Sequence, residues 1–293
     1  MGDKIKLKAY AKINLLLDVV GKYENNYHKV EMVMQTIDLY DKLIFSKTEQ
    51  KVNISCKHPG VPLGKKNLIY QAANLLFSEF DLQGGLDVEV NKNIPVAAGM
   101  AGGSTDAAAT LVAINQLWDL GLTTSQLEAK AANLGADVPF CIAGGTQLAT
   151  GTGTELEKID VQPDLNLVVV NPALEVSTAE VYSNFSLSEV QEHPNLDKLI
   201  AGLKNKDYKF ILSNLANLLE LVTINRYPKI REVKDIVAKK ADKALMSGSG
   251  PTILGFTKSR QEAEQIAAEI KQELSSNYKI LTANSIDSGI ELI

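Results

Sequence analysis

Residues 93–118 read NIPVAAGMAGGSTDAAATLVAINQLW. Gly99, Gly102 and Gly103 stand just ahead of Ser104 and Thr105, and a helix-forming run follows. A helix start carries unpaired N–H groups and a partial positive charge, so it receives anions. Glycines let backbone approach a phosphate closely and accept positive φ. The Ser104 and Thr105 hydroxyls can cap the helix or reach phosphate or Mg²⁺. The segment is neither G-x-x-x-x-G-K-[ST] nor a clean G-x-G-x-x-G. The same residues also describe a tight strand-to-helix turn packed through small side chains. Asp106 suits the helix dipole, yet it repels phosphate unless it points away or helps to hold a metal.

Four other places carry chemical side chains. Lys12 sits inside an otherwise apolar alternating run. It reads as a site cation or as a lysine snorkelling at a sheet edge. Asp137, in GADVPF, reads as a turn aspartate when taken alone. Tyr27 and His28 follow two asparagines, and that aromatic pair can stack on a flat ring or form an ordinary hairpin tip. SGSGP, residues 247–251, is a second glycine-rich turn.

These groups must be positioned by regular elements. Residues 5–19 place apolar side chains at odd positions, the period of a half-buried strand or of two strands joined by a bend. That period puts Lys12 and Asn14 on one face, directed away from the core. Strands are expected at 42–46, 52–56 and 86–90, and a helix over 67–80. Leu86–Val90 leads into the glycine segment, and a helix is expected from about Ser104 to Trp118. Capping boxes are expected at Ser125/Glu128 and Ser177/Glu180, with Ser259 capping a helix to about Leu274. Residues 165–172 read as a buried strand. Helices are expected near 195–203, 207–221 and 228–240, and strands at 243–247, 252–256 and 278–286. The order suits an α+β layer with helices on one face of a small sheet. The division falls at 1–160 and 161–293.

Composition narrows the function classes. The 293 residues are 45% hydrophobic, with 30 basic and 35 acidic side chains and a net charge of −5. That balance gives no support for a nucleic-acid surface or a polybasic membrane surface. The two cysteines, Cys56 and Cys141, form no metal-binding spacing and read as free thiols. No apolar run approaches a membrane span, and the N-terminal residues do not form a signal peptide. A cytoplasmic protein is expected.

Taken together, AKIN (11–14), YH (27–28), EMVMQTIDLYD (31–41), PVAAGMAGGSTDAA (95–108), GADVPF (135–140) and SGSGPT (247–252) resemble the GHMP kinases. The resemblance covers about residues 5–286. AKIN, YH with MQTIDL, and GADVPF narrow it to the branch acting on 4-diphosphocytidyl-2-C-methyl-D-erythritol. It implies a two-domain fold. The N-terminal domain would resemble the second domain of ribosomal protein S5, and the C-terminal domain would be ferredoxin-like. It further implies ATP and Mg²⁺ as cofactors and γ-phosphate transfer to a 2-hydroxyl, in the non-mevalonate route to isoprenoids. The partner implied is a small molecule with a cytidine diphosphate moiety, with neither nucleic acid nor membrane and with a monomer or homodimer as the assembly. Homoserine, a mevalonate-like alcohol, or a non-catalytic nucleotide-binding role are the alternatives.

By the same resemblance, Asp137 is the catalytic base and Lys12 the catalytic lysine. The ATP loop is Pro95, Val96, Ala97, Ala98, Gly99, Met100, Ala101, Gly102, Gly103, Ser104 and Thr105. Asn14 lines the substrate side, and Tyr27, His28 and Tyr182 read the cytosine. The metal ligands are unassigned. Three places depart from the family pattern. Tyr10 replaces a proline, Asn25-Asn26 replaces Asp-Gly before YH, and GMAGGST replaces GLAGGSS. Asparagine tolerates left-handed backbone, so the turn before Tyr27 can survive. Tyr10, expected on the Lys12 face, would reshape the substrate side.

Overall fold

The structure is a computed structural model that describes residues 4–49 and 51–293. The chain begins with a long hairpin, β1 (Lys4–Lys22) and β2 (His28–Thr48). Next come β3 (Lys51–Cys56), α1 (Leu68–Glu79), β4 (Gly85–Asn91) and α2 (Gly102–Leu117). Then follow α3 (Thr124–Ala131), α4 (Val138–Ala143), β5 (Thr146–Thr150) and β6 (Glu155–Lys158).

The second half holds β7 (Asn166–Asn171), α5 (Thr178–Ser183), α6 (Leu196–Asn205), α7 (Tyr208–Asn214) and β8 (Ala216–Asn217). It continues with α8 (Glu220–Arg226), α9 (Pro228–Ala238), β9 (Lys243–Met246), β10 (Ile253–Thr257), α10 (Arg260–Glu273), β11 (Lys279–Asn284) and β12 (Ile290–Leu292). No described helix is long and apolar enough to cross a membrane.

The first sheet runs β12-β1-β2-β4-β3, with β5 on β2, β6 on β5 and β8 on β1. The second sheet runs β11-β7-β10-β9 with every pair antiparallel. Numbered within itself, that sheet reads 4-1-3-2, the ferredoxin-like order. The 160/161 division separates the strands of the two sheets except β8 and β12, which return to β1.

Alternation in β7 shows how the halves join. Val168 and Val170 pack into one core cluster, with Ile230, Val233 and Val237 of α9 and Ile266 and Ile270 of α10. Leu167 and Val169 pack into the other, with Ile13 and Leu15 of β1 and Leu199 and Leu203 of α6. A strand buried on both faces reads as a continuous apolar run, as LNLVVV does. The second sheet is therefore covered on both faces, where the sequence pattern suggested helices on one.

Two further expectations shift. The cap of α3 is the Thr123/Gln126 box, not Ser125/Glu128. Both boxes fit the local pattern, and Thr123 lies in extended backbone where its hydroxyl meets the Gln126 N–H. The helix expected over 207–221 is broken by β8. There Asn217 donates to the carbonyls of Met246 and Gly248, and its side chain accepts from Leu219 N–H.

Candidate active site

Strand β1 changes face twice. Leu7, Ala9, Leu17 and Val19 lie in one core cluster, and Ala11, Ile13, Leu15 and Leu16 in the other. Its register with β2 shifts between Tyr10 and Ala11 and between Asn14 and Leu16. A one-residue slip turns a strand's side chains over, and such irregularities re-aim residues. Lys12 and Asn14 therefore face the side covered by α2 and α4. They do not point away from the core as simple alternation implied. Lys12 is 5% exposed and Asn14 fully buried.

The re-aimed pair meets Asp137. Lys12 Nζ lies 3.6 Å from Asp137 Oδ1 and donates to Asn14 Oδ1 at 2.9 Å. Asn14 in turn donates to Met32 Sδ. Asp137 occupies the N-cap position of α4 without capping it through its side chain. Pro139 fits the first turn because a missing N–H costs nothing there. The carboxylate is thus free to face Lys12, and its side chain keeps 34% exposure. A reacting group can reach it.

Tyr10 does not share this face. Its hydroxyl donates to Glu291 of β12, and its ring meets Tyr40 edge-on at 5.5 Å. Burial and then Glu291 push that phenol well above its ordinary value. The expected effect of Tyr10 on the Lys12 side is therefore not borne out.

The glycine segment docks on the same stretch of β1. Lys12 N–H donates to the Met100 carbonyl at 3.3 Å. Gly99 has φ +71°, and a Cβ there would collide with the Ser247 carbonyl oxygen. Ser247 Oγ donates to Gly99 O at 3.0 Å, so the SGSGP turn and this loop interlock. Helix α2 starts at Gly102, two residues before the expected Ser104. Its N-cap, Ala101, is left-handed with φ 57° and offers no side-chain bond. The first-turn amides have no intrahelical partner, which suits an anion.

The glycines and hydroxyls of this turn divide by direction. Gly103 is exposed, with only Leu68 near the place of a Cβ. Gly102 instead faces inward, toward Ile94 and Lys92. Ser104 is half-buried. Thr105 is fully buried, and its hydroxyl has no hydrogen-bond partner.

Asp106 points away from the open side of the turn. Its Oδ2 accepts from Lys92 Nζ at 2.8 Å, and Lys92 also bonds Asp41 and Gly102 O. Burial raises Asp106, the adjoining Lys92 ammonium pulls it back toward the ionised form, and Asp41 pushes it up. Burial alone would lower Lys92, but Asp106 and Asp41 outweigh it and raise the ammonium. Sequence reasoning missed Lys92 and Asp41. Nothing in VNKNIP or DLYDKL distinguishes them from surface charges.

The aromatic residues form a third part. His28 and Tyr182 lie with ring centroids 5.2 Å apart and 33° between planes, and Phe185 meets His28 edge-on at 6.2 Å. Phe185 was not singled out in the sequence. Burial, then the Asp137 charge, pushes Tyr182 well above its ordinary value, so Asp137 lies within electrostatic reach of this cluster. Burial, then Lys22, lowers His28. Tyr27 stands apart with 65% exposure, on a turn where Asn26 takes φ 69°. Asparagine does sustain that turn, and Asn25 Oδ1 accepts from Tyr27 N–H.

Comparison with known proteins finds relatives along the whole chain. The family models for the GHMP kinases N terminal domain and GHMP kinases C terminal match residues 67–145 and 199–276. The chain is 43% identical over 294 residues to a 4-diphosphocytidyl-2-C-methyl-D-erythritol kinase of Clostridioides difficile. That match covers 99% of this chain and 98% of the relative. It is 46% identical over 255 residues to the protein of that name from Bacillus mycoides, covering 86% and 88%.

A crystal structure of 4-(cytidine 5'-diphospho)-2C-methyl-D-erythritol kinase superposes with a TM-score of 0.82 at 27% identity, covering 96% of this chain and 99% of that one. Homoserine kinase from Cytophaga hutchinsonii shares the fold, with a TM-score of 0.81 at 21% identity over 100% and 98% of the two chains. The chain belongs to the GHMP kinase family and is a small-molecule kinase.

Proposed function

We propose that the chain transfers the γ-phosphate of ATP to the 2-hydroxyl of 4-diphosphocytidyl-2-C-methyl-D-erythritol, a step of the non-mevalonate route to isopentenyl diphosphate and terpenoids. Relatives of that name along almost the whole chain support the reading. The observation that carries it is the Lys12–Asp137 pair beside the glycine-led start of α2. A tertiary alcohol is a weak acid, so its proton must be accepted as the O–P bond forms. In this reading Asp137 takes that proton. Lys12, held by Asn14, stabilises negative charge on the reacting oxygens. Phosphoryl transfer otherwise needs mainly positioning and charge stabilisation. Pro95–Thr105 cradles the ATP phosphates, and Tyr27, His28 and Tyr182 hold the cytosine by stacking and hydrogen bonding.

Mg²⁺ suits the oxygens available. Among the described residues no group of three His, Cys, Asp or Glu side chains can hold a metal by itself. Mg²⁺ commonly takes one or two protein oxygens plus substrate phosphates. Thr105 Oγ1, a buried oxygen without a hydrogen-bond partner, would supply the protein's share of that set. The ion would neutralise phosphate charge there.

A coupled assay of ADP release tests the reading against a panel of the cytidine compound, homoserine and mevalonate. Turnover is expected on the cytidine compound. Turnover on homoserine with none on the cytidine compound would overturn it.

A further inference from the structure

Beneath the loop lies a charged cluster that has no part in the mechanism above. The side chains of Lys92, Asp41 and Asp106 are 3%, 0% and 5% exposed. Lys92 Nζ donates to Asp41 Oδ2, to Asp106 Oδ2 at 2.8 Å and to Gly102 O at 3.2 Å. Asp41 Oδ1 accepts the backbone N–H groups of Asn93 at 2.6 Å and Ile94 at 2.9 Å. Lys279, from β11, donates to Asn93 O. One ammonium thus ties β2, the start of the glycine segment and the first turn of α2 together. A Cβ on Gly102 would stand 3.2 Å from Nζ, so the glycine makes room for this lysine.

The arrangement answers the objection raised by Asp106. A buried carboxylate just past the first turn of α2 would oppose an incoming triphosphate, and an unpaired buried charge is costly in itself. We infer that Lys92 is the positioning residue of the phosphate loop. Its ammonium offsets the Asp106 and Asp41 carboxylates and holds the Gly102 carbonyl, leaving the open amides of the α2 start to an anion. The inference rests on reading Pro95–Thr105 as that loop.

The test measures equilibrium affinity of the full chain for ATP, ADP and AMP. Lys92→Met is expected to weaken ATP about tenfold, a loss of about 1.4 kcal/mol, with smaller losses for ADP and AMP. Adding Asp106→Asn to Lys92→Met should recover most of the ATP affinity, because the carboxylate left without its cation is gone. Asp106→Asn alone keeps an acceptor for Lys92 and should bind ATP at least as tightly as the parent. This last measurement decides the matter if Lys92→Met does not fold. Weaker ATP binding by Asp106→Asn alone overturns the inference. So does an equal loss for all three nucleotides in Lys92→Met that the second change does not repair.

Gly103→Val separates the two readings. If it leaves ATP affinity unchanged, the phosphate-loop assignment fails. If it weakens ATP while Lys92→Met does not, only the role of Lys92 fails.

Discussion

The Lys12 ammonium stands 3.6 Å from Asp137 Oδ1 while its own hydrogen bond goes to Asn14 Oδ1, 2.9 Å away. Lysine is thus oriented by the amide and leaves the carboxylate facing the open side. Asp137→Asn should lower kcat by about 10²- to 10⁴-fold, the span that general-base removal gives, with ATP affinity largely kept. Lys12→Ala should also cost most of kcat. Steady-state kinetics with a parallel nucleotide titration checks both. Wild-type kcat in Asp137→Asn removes the base assignment.

Gly99 and the Ser247–Gly250 turn interlock, with backbone meeting backbone. Gly99→Ala combines a positive φ with a collision against the Ser247 carbonyl. It should destabilise the fold by about 1–3 kcal/mol, the range for a strained backbone position. A thermal melt measures this. An unchanged midpoint would mean that the two turns are not held together as described.

His28 carries the pH prediction. Burial, then Lys22, lowers it from 6.5. A histidine depressed in the folded state contributes stability above its unfolded value, and that contribution is lost as pH falls through the folded one. The imidazole is thus mostly neutral at pH 6.5. The KM for the cytidine compound should rise toward acid pH with a midpoint below 6.5. A midpoint at or above 6.5 contradicts a depressed His28 in the proposed base site.

Tyr27 is exposed while Tyr182 packs on His28. Tyr27→Ala should leave the melting temperature within experimental error and raise KM for the cytidine compound without changing KM for ATP. The rise should be about fivefold or more, since one base–aromatic stack contributes about 1–3 kcal/mol. Kinetics with each substrate varied in turn decides it. A change confined to KM for ATP would move Tyr27 out of the cytosine site.

The two thiols should differ in reactivity. Cys141 is buried, and burial together with Asp137 pushes its thiol well above the ordinary value. Cys56 is half-buried. Only the thiolate reacts, so an alkylating reagent should label Cys56 first and Cys141 only on unfolding. Peptide mass mapping reads the order, and prompt labelling of Cys141 in the native protein would show an opening that the fold does not contain.

Short local signals carried much of this protein. Asn67 accepts from Ile69 N–H and caps α1, Ser259 caps α10, and the apolar run at 165–172 is a strand buried on both faces. Each is set by residues within one or two turns of each other, so periodicity and capping chemistry suffice. The motifs AKIN, GADVPF and PVAAGMAGGST likewise marked segments that the fold brings together, because each holds its candidate groups within a few residues.

What the sequence determined by itself was therefore the kinase family, most but not all of the elements and the candidates Lys12 and Asp137. The tertiary structure decided where those groups point. Alternation in β1 directed Lys12 away from the core, and only the irregular register with β2 turned it toward α4. Gly102 and Gly103 look equivalent as neighbours, but Ile94 and Lys92 occupy the space before one and leave the other open. Asp41, Lys92 and Asp106 read as three ordinary charges until the fold buries them against each other. Register shifts and burial of charge depend on partners far away in the chain, and a local pattern carries no record of which partner arrives.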